Sequence, residues 1–494
     1  MNAEKALCLF DALTGVREDY IQEALPPEKA RRRLGFRQIA PIAALLCLAV
    51  GLGWFLTHAG GNSTGPYRKD RGPGDSYASY AGPVLPLTAP EGGEGLNVRR
   101  ETVFDLSPLL SDPANTKYVL VQDGYTLENT GTEDETFTLL YPFTAALFSD
   151  GALLPEITAE GAPLEAELLP GTETDGAGRI LSPRTWDEYY ALLRGGHAER
   201  SMEQAPVPDR KVIVYEITDM FGQKSEGKPF PNLALSFTMD PAKTGILDWG
   251  FNGGSNDRET GQYQRHLDIP QPGMPEYGKS AFLMVLGEDI ADVSLKAYSS
   301  GWLDTPAEDA GGTLTRYEAD FSEMLARCME LRYRWNYETM LYDALTPEAK
   351  ASLICARLAL MGYMGEDFSE AAQCPMEDVL GPVLNAPRIL YLRFRVTVPA
   401  GESVKVTAEM RKDLSFDYGA GLDSPHGLDL LTGAAAADLR YAEEAVVLQG
   451  ADGIKLLWQN FGFDPKEGRT RVILSPDTPR YYLDLVKKSE KDLS

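Results

Sequence analysis

The chain has 494 residues, a length for which about three domains are expected. Because 43% of its residues are hydrophobic and 24% are charged, disorder of the whole chain is excluded. It carries 47 Lys and Arg residues against 73 Asp and Glu residues, a net charge of −26. This balance argues against a nucleic-acid partner, because phosphate binding needs a basic surface. Five cysteines in a chain of this length exclude a scaffold built on disulfides.

Residues 1–37 are predicted to form a short cytoplasmic helical segment. Phe10 and Leu13 are the largest apolar residues on a partial helical stripe, and a helix of this size cannot bury them alone. Three roles are possible for this segment: it binds nothing, it lies on the membrane surface, or it docks on a partner protein. Its acidic residues disfavour anionic lipid, so we predict that Phe10 and Leu13 bind a cytoplasmic protein regulator.

A charge-free apolar run follows over Ile39–Leu56. As a helix it spans roughly 27 Å, which suffices for the hydrocarbon core of a bilayer. We therefore predict a single transmembrane helix over 38–57 in the cell membrane. A cleaved signal peptide is the competing interpretation, but its leader would be about 40 residues long and no A-x-A site follows. The positive-inside rule places the N-terminus in the cytoplasm and the rest outside, because five basic residues precede the run: Lys29, Arg31, Arg32, Arg33 and Arg37.

Residues 58–100 have the Gly- and Pro-rich composition of a stalk, and residues 101–319 are predicted to be β-rich. Alternation of apolar residues over Val119–Leu127 and Phe137–Tyr141 predicts one hairpin, and Ile157–Leu164 predicts a shorter one. Ser182 and Pro183 predict the start of a helix through Leu193. Further strands are predicted at Lys211–Thr218, Leu233–Thr238, Ala281–Leu286 and Val293–Tyr298.

Residues 320–387 are predicted to be a helical insertion, and residues 388–494 to complete the sandwich fold. Alternation over Leu390–Val398 and Val404–Met410 predicts an antiparallel hairpin. The expected fold class is mainly β (α+β), with an antiparallel β-sandwich-type extracytoplasmic region. The sequence leaves open whether this region contains one or two sandwich domains. The last strands are predicted at Ala445–Leu448, Thr470–Leu474 and Tyr481–Val486.

The chain shows no catalytic motif, and we predict no enzyme activity, no cofactor and no metal. None of the four histidines lies in an H-E-x-x-H pattern, which argues against a zinc hydrolase. Ser225–Lys228 fits S-x-x-K and Lys243–Gly245 fits K-T-G, but no S-D-N lies between them, so the match is interpreted as coincidence. Cys328, Cys355 and Cys374 are predicted to be small buried residues, with a Cys328–Cys355 bridge as the alternative.

The most distinctive loop runs from Trp249 to Gly261. The favoured interpretation is a plain hairpin loop with packed aromatic residues. The alternative is a ligand loop that offers oxygen atoms to calcium, although the spacing matches no EF-hand. The residues of this alternative are Trp249, Asn252, Asn256, Asp257 and Glu259.

Two parts of the chain resemble known families. Val121–Gly131, Leu139–Phe143 and Val396–Glu402 resemble segments of uncharacterised bacterial envelope β-sandwich domains. The layout, with Leu9–Leu13, a basic flank, one span and an outer region, resembles membrane-anchored anti-sigma factors, although Cys8 lacks the H-x-x-x-C-x-x-C pattern of their zinc-containing members.

The second resemblance implies that the inner segment holds a regulator while the outer region senses an unidentified ligand. A non-signalling envelope or adhesion module is the main alternative, and an extracytoplasmic enzyme is a lesser one.

Overall fold

The structure is a computed structural model that describes residues 77, 79–90, 93–111, 117–174, 185–193, 205–224, 229–271, 281–333, 340–369, 371, 373–416, 424–436 and 438–488. The predicted cytoplasmic segment, the predicted span over 38–57 and most of the predicted stalk lie outside these residues. Across the described ranges, no helix is long and apolar enough to cross a bilayer.

The described residues form mainly β structure, as predicted, with several antiparallel sheets. The strands are β1 (Leu96–Asp105), β2 (Tyr118–Asn129), β3 (Glu135–Ala145), β4 (Glu156–Ala159), β5 (Ala162–Pro163), β6 (Glu167–Glu173), β7 (Lys211–Phe221), β8 (Asn232–Thr238), β9 (Thr244–Trp249), β10 (Gly253–Asp257), β11 (Gln262–Asp268), β12 (Ala281–Gly287), β13 (Ala291–Tyr298), β14 (Gly311–Asp320), β15 (Gln373–Pro375), β16 (Arg388–Val398), β17 (Ser403–Asp413), β18 (Ser415–Phe416), β19 (His426–Leu431), β20 (Arg440–Gln449), β21 (Ile454–Gln459), β22 (Arg471–Ile473) and β23 (Arg480–Lys487). The helices are α1 (Pro108–Ser111), α2 (Trp186–Leu193), α3 (Phe321–Tyr333), α4 (Pro347–Leu360), α5 (Met376–Asn385) and α6 (Gly433–Ala436).

A first sandwich combines strands from both ends of the described chain. Its larger sheet has seven strands in the order β22-β20-β1-β2-β17-β4-β5. A three-stranded sheet, β3-β16-β6, and a four-stranded sheet, β18-β19-β23-β21, supply the facing side chains. Inward residues of all three sheets, such as Val121, Phe394 and Leu483, belong to one buried core. The C-terminal region therefore completes this sandwich, and β20 does so by pairing in parallel with β1.

The two long hairpins predicted from alternation are wrong in their pairing. β2 pairs with β1 and β17, whereas β3 pairs with β16, so the chain crosses from one sheet to another between them. β16 and β17 are likewise in different sheets. The predicted register of β16 is confirmed, because Leu390, Phe394 and Val398 are buried while Arg393 and Arg395 are exposed. Period-two alternation reports which face of a strand is buried, but it does not specify the partner strand.

The shorter predicted hairpin is confirmed, since β4 and β5 pair directly. Its turn places Glu160 at φ 49° and Gly161 at φ 79°, the left-handed backbone that a two-residue hairpin loop requires. The helix predicted from Ser182 to Leu193 is described from Trp186 onward as α2. Thr185 caps it, because the Thr185 Oγ1 accepts from the Glu188 N–H and the Glu188 carboxylate accepts from the Thr185 N–H.

A second sandwich is built from the strands between residues 211 and 320 together with β15 from the predicted insertion. The four-stranded sheet β10-β11-β8-β13 packs on one face of the five-stranded sheet β14-β7-β12-β9-β15, around side chains such as Phe237 and Leu283. The helices α3, α4 and α5 of the predicted insertion cover the opposite face, where the guanidinium of Arg327 in α3 lies 4.6 Å from the centroid of the Phe282 ring. β12 is apolar on both faces because its sheet is buried on both sides.

The predicted stalk over 58–100 does not extend to its predicted end. Residues 79–90, here called the strap, run through the first sandwich, and Val84, Leu85 and Leu87 are fully buried. The strap makes isolated bridges from Ser79, Val84 and Thr88 to the sheets, and β1 already begins at Leu96. Gly and Pro prevent the strap from forming a regular strand, but the apolar residues between them supply buried surface. Composition alone therefore misassigned this segment.

Candidate functional site

The loop over Trp249–Gly261 does not gather its predicted ligand residues. Trp249 is buried and stacks on Phe282, with 6.4 Å between the ring centroids. The Asn256 Oδ1 accepts a hydrogen bond from Arg265 at 3.0 Å. The Asp257 carboxylate accepts from two backbone N–H groups of its own turn, and Asn252 and Glu259 are exposed. These contacts fit a hairpin loop.

The other residues that the sequence suggests for metal binding, disulfide formation or catalysis do not form such a site among the described residues. The described residues contain no group of three His, Cys, Asp or Glu side chains placed to hold a metal ion. Cys328, Cys355 and Cys374 are buried free thiols, so the Cys328–Cys355 bridge is not formed. Lys243 forms an exposed ion pair with Glu288 at 3.3 Å, while Ser225, Phe10 and Leu13 lie outside the described residues.

The strap is held in the first sandwich by buried polar side chains. The Arg100 guanidinium forms a bidentate pair with the Asp123 carboxylate and donates to the carbonyl oxygen of Leu85 at 3.2 Å. The Tyr125 hydroxyl donates to Asp123 at 2.6 Å and accepts from the Leu87 N–H at 3.1 Å. Because the buried charges are paired and hydrogen-bonded, this cluster fits a structural role in fixing the strap.

A cavity of about 380 Å³ opens where the N-terminal end of the strap meets the ends of β3 and β17. We call it the Lys412 cleft. Its walls combine apolar and cationic side chains, a composition typical of small-molecule sites. The residues that line it are Ser79, Tyr80, Ala81, Pro83, Lys117, Phe143, Thr144, Ala145, Ala146, Ser149, Leu153, Pro387, Met410, Arg411, Lys412, Asp413, Leu414 and Phe416.

Lys412 is the most unusual residue in this cleft. It is 5% exposed, and its Nζ donates to the carbonyl oxygen of Ala81 at 2.6 Å. Within the described part of the chain, no carboxylate lies within ion-pair distance of the Lys412 Nζ. Burial lowers the pKa of Lys412 to about 8, although Asp413 and Asp429 act in the opposite direction. The cleft therefore holds an amine that loses its proton more readily than an exposed lysine does.

Two further cations line the same cleft. The Lys117 Nζ lies 4.0 Å from the centroid of the Phe416 ring. The guanidinium of Arg411 lies 4.2 Å from the centroid of the Tyr118 ring, and its Nε is buried without a hydrogen-bond partner. The Arg411 Nε lies 3.8 Å from the Asp413 carboxylate, and another guanidinium nitrogen lies 3.9 Å from the Asp150 carboxylate. Arg411 thus adds a partly compensated positive charge to the wall of the cleft.

The sequence did contain a signal for Lys412. Val404, Val406, Ala408 and Met410 alternate inward along β17, and the next inward position is Lys412. A lysine on the buried face of a strand is uncommon and points to a special environment. The cleft itself is not predictable from the sequence, because the Gly- and Pro-rich composition of the strap, which forms one wall, predicts a stalk.

Comparison with known proteins adds no assignment to this geometry. A scan against protein-family models finds no match for the chain, and a search of curated proteins also finds none.

Proposed function

We propose that the chain is a single-pass membrane protein whose outer, β-rich region binds a small organic anion in the Lys412 cleft and signals through the strap. The observation that carries the proposal is that strap residues Ser79, Tyr80 and Ala81 form a wall of the cleft. In the sequence, the strap follows the predicted span over 38–57. A ligand in the cleft would touch a segment that leads to the predicted membrane anchor.

The charge around the cleft supports an anionic ligand. Lys117, Arg411 and Lys412 line it, against one lining carboxylate, that of Asp413. The whole chain carries a net charge of −26, so a locally cationic cleft stands out from an acidic background. Cationic donors beside low-dielectric walls attract carboxylate or phosphate groups, because the interaction strengthens when water is excluded.

The apolar part of the cleft supports a ligand with a carbon skeleton. Phe143, Met410, Leu414 and Phe416 line it together with the cations. A simple inorganic anion would leave these side chains without contacts. A small organic acid satisfies both parts, since its charged group meets the cations and its apolar part meets the rings.

Contacts of the strap support the signalling half of the proposal. The Ala81 carbonyl oxygen accepts from Lys412, and the Ala81 N–H donates to the Ser415 Oγ at 3.0 Å. The Tyr80 hydroxyl donates to Asp429 at 2.9 Å. A ligand that competes for the Lys412 ammonium would change the hydrogen bonding of Ala81. The strap would then be the element whose conformation responds to occupancy.

Ligand binding can be tested on the full-length protein in detergent micelles. Thermal unfolding is followed with a panel of small carboxylates and phosphates for the wild type, Lys412→Met and Lys405→Met. Lys405 lies on the same strand but is exposed, so it is the matched control. We expect at least one anion to raise the Tm of the wild type and of Lys405→Met, but not that of Lys412→Met. If no anion stabilises the wild type, or if Lys412→Met responds equally, the cleft is not the site.

Signalling can be tested on the same samples and in cells. Amide hydrogen exchange in residues 79–90 should change on binding, while exchange in β12 of the second sandwich stays constant. Replacing Phe10 and Leu13 by Asp should abolish capture of a cytoplasmic partner without affecting membrane insertion. An unchanged strap together with no captured partner would favour an envelope module that binds without signalling.

A further inference from the structure

Lys412 combines three features that suit it to covalent chemistry rather than to charge pairing alone. It occupies an inward position of β17, its side chain lines an open cleft, and its Nζ has one hydrogen-bond acceptor, the Ala81 carbonyl, among the described residues. Lys412 is also 5% exposed and forms no ion pair with a described carboxylate, so its amine is largely excluded from water without a counter-charge.

We propose that the Lys412 cleft binds a small 2-oxo acid covalently, as an imine between the Lys412 Nζ and the carbonyl carbon of the ligand. This inference rests on the proposed function, because it names the ligand class of the same cleft. A 2-oxo acid carries a carbonyl group next to a carboxylate. The carbonyl would meet Lys412, and the carboxylate would meet the other two cations that line the cleft, Lys117 and Arg411.

The surroundings of the amine favour its neutral form. The charged groups that act on Lys412 are Asp413 and Asp429, and neither forms an ion pair with its Nζ. Asp429 accepts a hydrogen bond from Tyr80 and lies 3.9 Å from Arg480, so part of its charge is already compensated. Because burial lowers the pKa of Lys412 to about 8, a larger fraction of this amine is neutral at pH 7 than in an exposed lysine. Desolvated lysines of this kind serve as Schiff-base residues.

The reaction balances without an oxidant or a reductant. The lone pair of the neutral Nζ attacks the carbonyl carbon, so a C–N bond forms, the carbonyl π bond breaks and the oxygen takes up a proton from solvent. Nitrogen loses one proton to solvent, and a carbinolamine results. The hydroxyl oxygen then takes up a second proton and leaves as water as the C–O bond breaks, while the nitrogen lone pair forms the C=N bond of a protonated imine. The protonated imine keeps one N–H, which is enough to retain the hydrogen bond to the Ala81 carbonyl oxygen.

Reductive trapping tests the proposal, with glyoxylate as the probe because it is the smallest 2-oxo acid. The full-length protein is incubated with glyoxylate and cyanoborohydride at pH 7, and labelled lysines are mapped by mass spectrometry. Cyanoborohydride delivers hydride to the imine carbon and leaves a stable carboxymethyl amine. We expect Lys412 to label at least tenfold faster than the exposed Lys405. Lys405→Met should label at Lys412 as fast as the wild type.

Two variants separate the covalent step from binding. Lys412→Arg keeps the charge but cannot form the imine, so it should still be stabilised by glyoxylate while giving no adduct at this position. Lys412→Met should show neither effect, and its thermal unfolding curve checks that it folds. If Lys412 labels no faster than Lys405 although anions stabilise the wild type, the imine is refuted and the binding site survives. If no anion stabilises the wild type, the proposed function fails as well.

Discussion

Arg100 and Asp123 form a buried bidentate ion pair, with both N–O distances at 2.8 Å, and the same guanidinium reaches the strap through the carbonyl oxygen of Leu85. The pair joins β1 to β2 and both strands to a segment without regular structure. Thr102 donates a further hydrogen bond to Asp123 at 2.7 Å. The strap is therefore fixed by specific charge-assisted hydrogen bonds in addition to its apolar contacts.

Replacing Arg100 by Met should destabilise the protein by about 3–5 kcal/mol, because the Asp123 carboxylate would be left buried without its cation. Urea unfolding of the two proteins measures the difference. Arg393→Met is the matched control, since the Arg393–Glu167 pair is 47% and 42% exposed and should contribute less than about 1 kcal/mol. Equal losses in the two variants would mean that the buried pair has no special role in stability.

Replacing Phe394 by Ala should destabilise the protein by about 3–5 kcal/mol, the usual effect of removing a buried Phe side chain. Phe394 is 2% exposed and faces the core of the first sandwich from β16. Arg395→Ala, at the neighbouring exposed position, should change the unfolding free energy by less than about 0.5 kcal/mol. A loss below about 1 kcal/mol at Phe394 would contradict the register of β16.

The contrast between Phe394 and the strap shows what sequence patterns can predict in this fold. Inward residues of β16 were identified because period-two alternation follows directly from burial of one face of a strand. The pairing of β16 with β3 was not identifiable, because partner choice in a sandwich depends on residues far apart in the chain. Local pattern therefore gave the faces of the strands and not the connections between them.

The candidate site was missed for a related reason. Gly82 and Pro83 give the strap the composition of a linker, although Val84 and Leu85 are fully buried. Lys412 was within reach of the same alternation that identified Met410, but its environment depends on the strap. Because the strap forms one wall of the cleft and its composition predicts a linker, the sequence does not indicate that the cleft exists.

Replacing Gly82 by Ala should destabilise the protein and disturb the cleft. Gly82 has a φ of 74°, and an added Cβ would lie 2.6 Å from the Cβ of Thr144. Gly161 is the matched control, since its φ is 79° but open space surrounds it. Gly161→Ala should lose about 1 kcal/mol from backbone strain, and Gly82→Ala should lose more because Thr144 must move. The unfolding free energies of both variants and anion binding by Gly82→Ala test this. Equal losses in the two variants would mean that the strap has room to shift.

The unfolding free energy should depend on pH through Lys412. Burial lowers the pKa of Lys412 from 10.5 to about 8 in the folded protein. Between these two values the unfolded chain binds more protons than the folded one, so the contribution of Lys412 to stability rises with pH. Relative to Lys412→Met, the wild type should gain about 2 kcal/mol between pH 7 and pH 9.5.

Urea unfolding at a series of pH values below 10 measures this gain for the wild type, Lys412→Met and Lys405→Met. The upper limit matters because buried tyrosines such as Tyr125 and Tyr141 have raised pKa values through burial, so their ionisation in the unfolded chain removes stability above pH 10. The difference between the wild type and Lys405→Met should stay constant over the same range, since Lys405 is exposed. A constant difference for Lys412→Met as well would mean that Lys412 keeps its proton in the folded state. In that case the cleft would still suit an anion, but the neutral amine that an imine needs would be absent at pH 7.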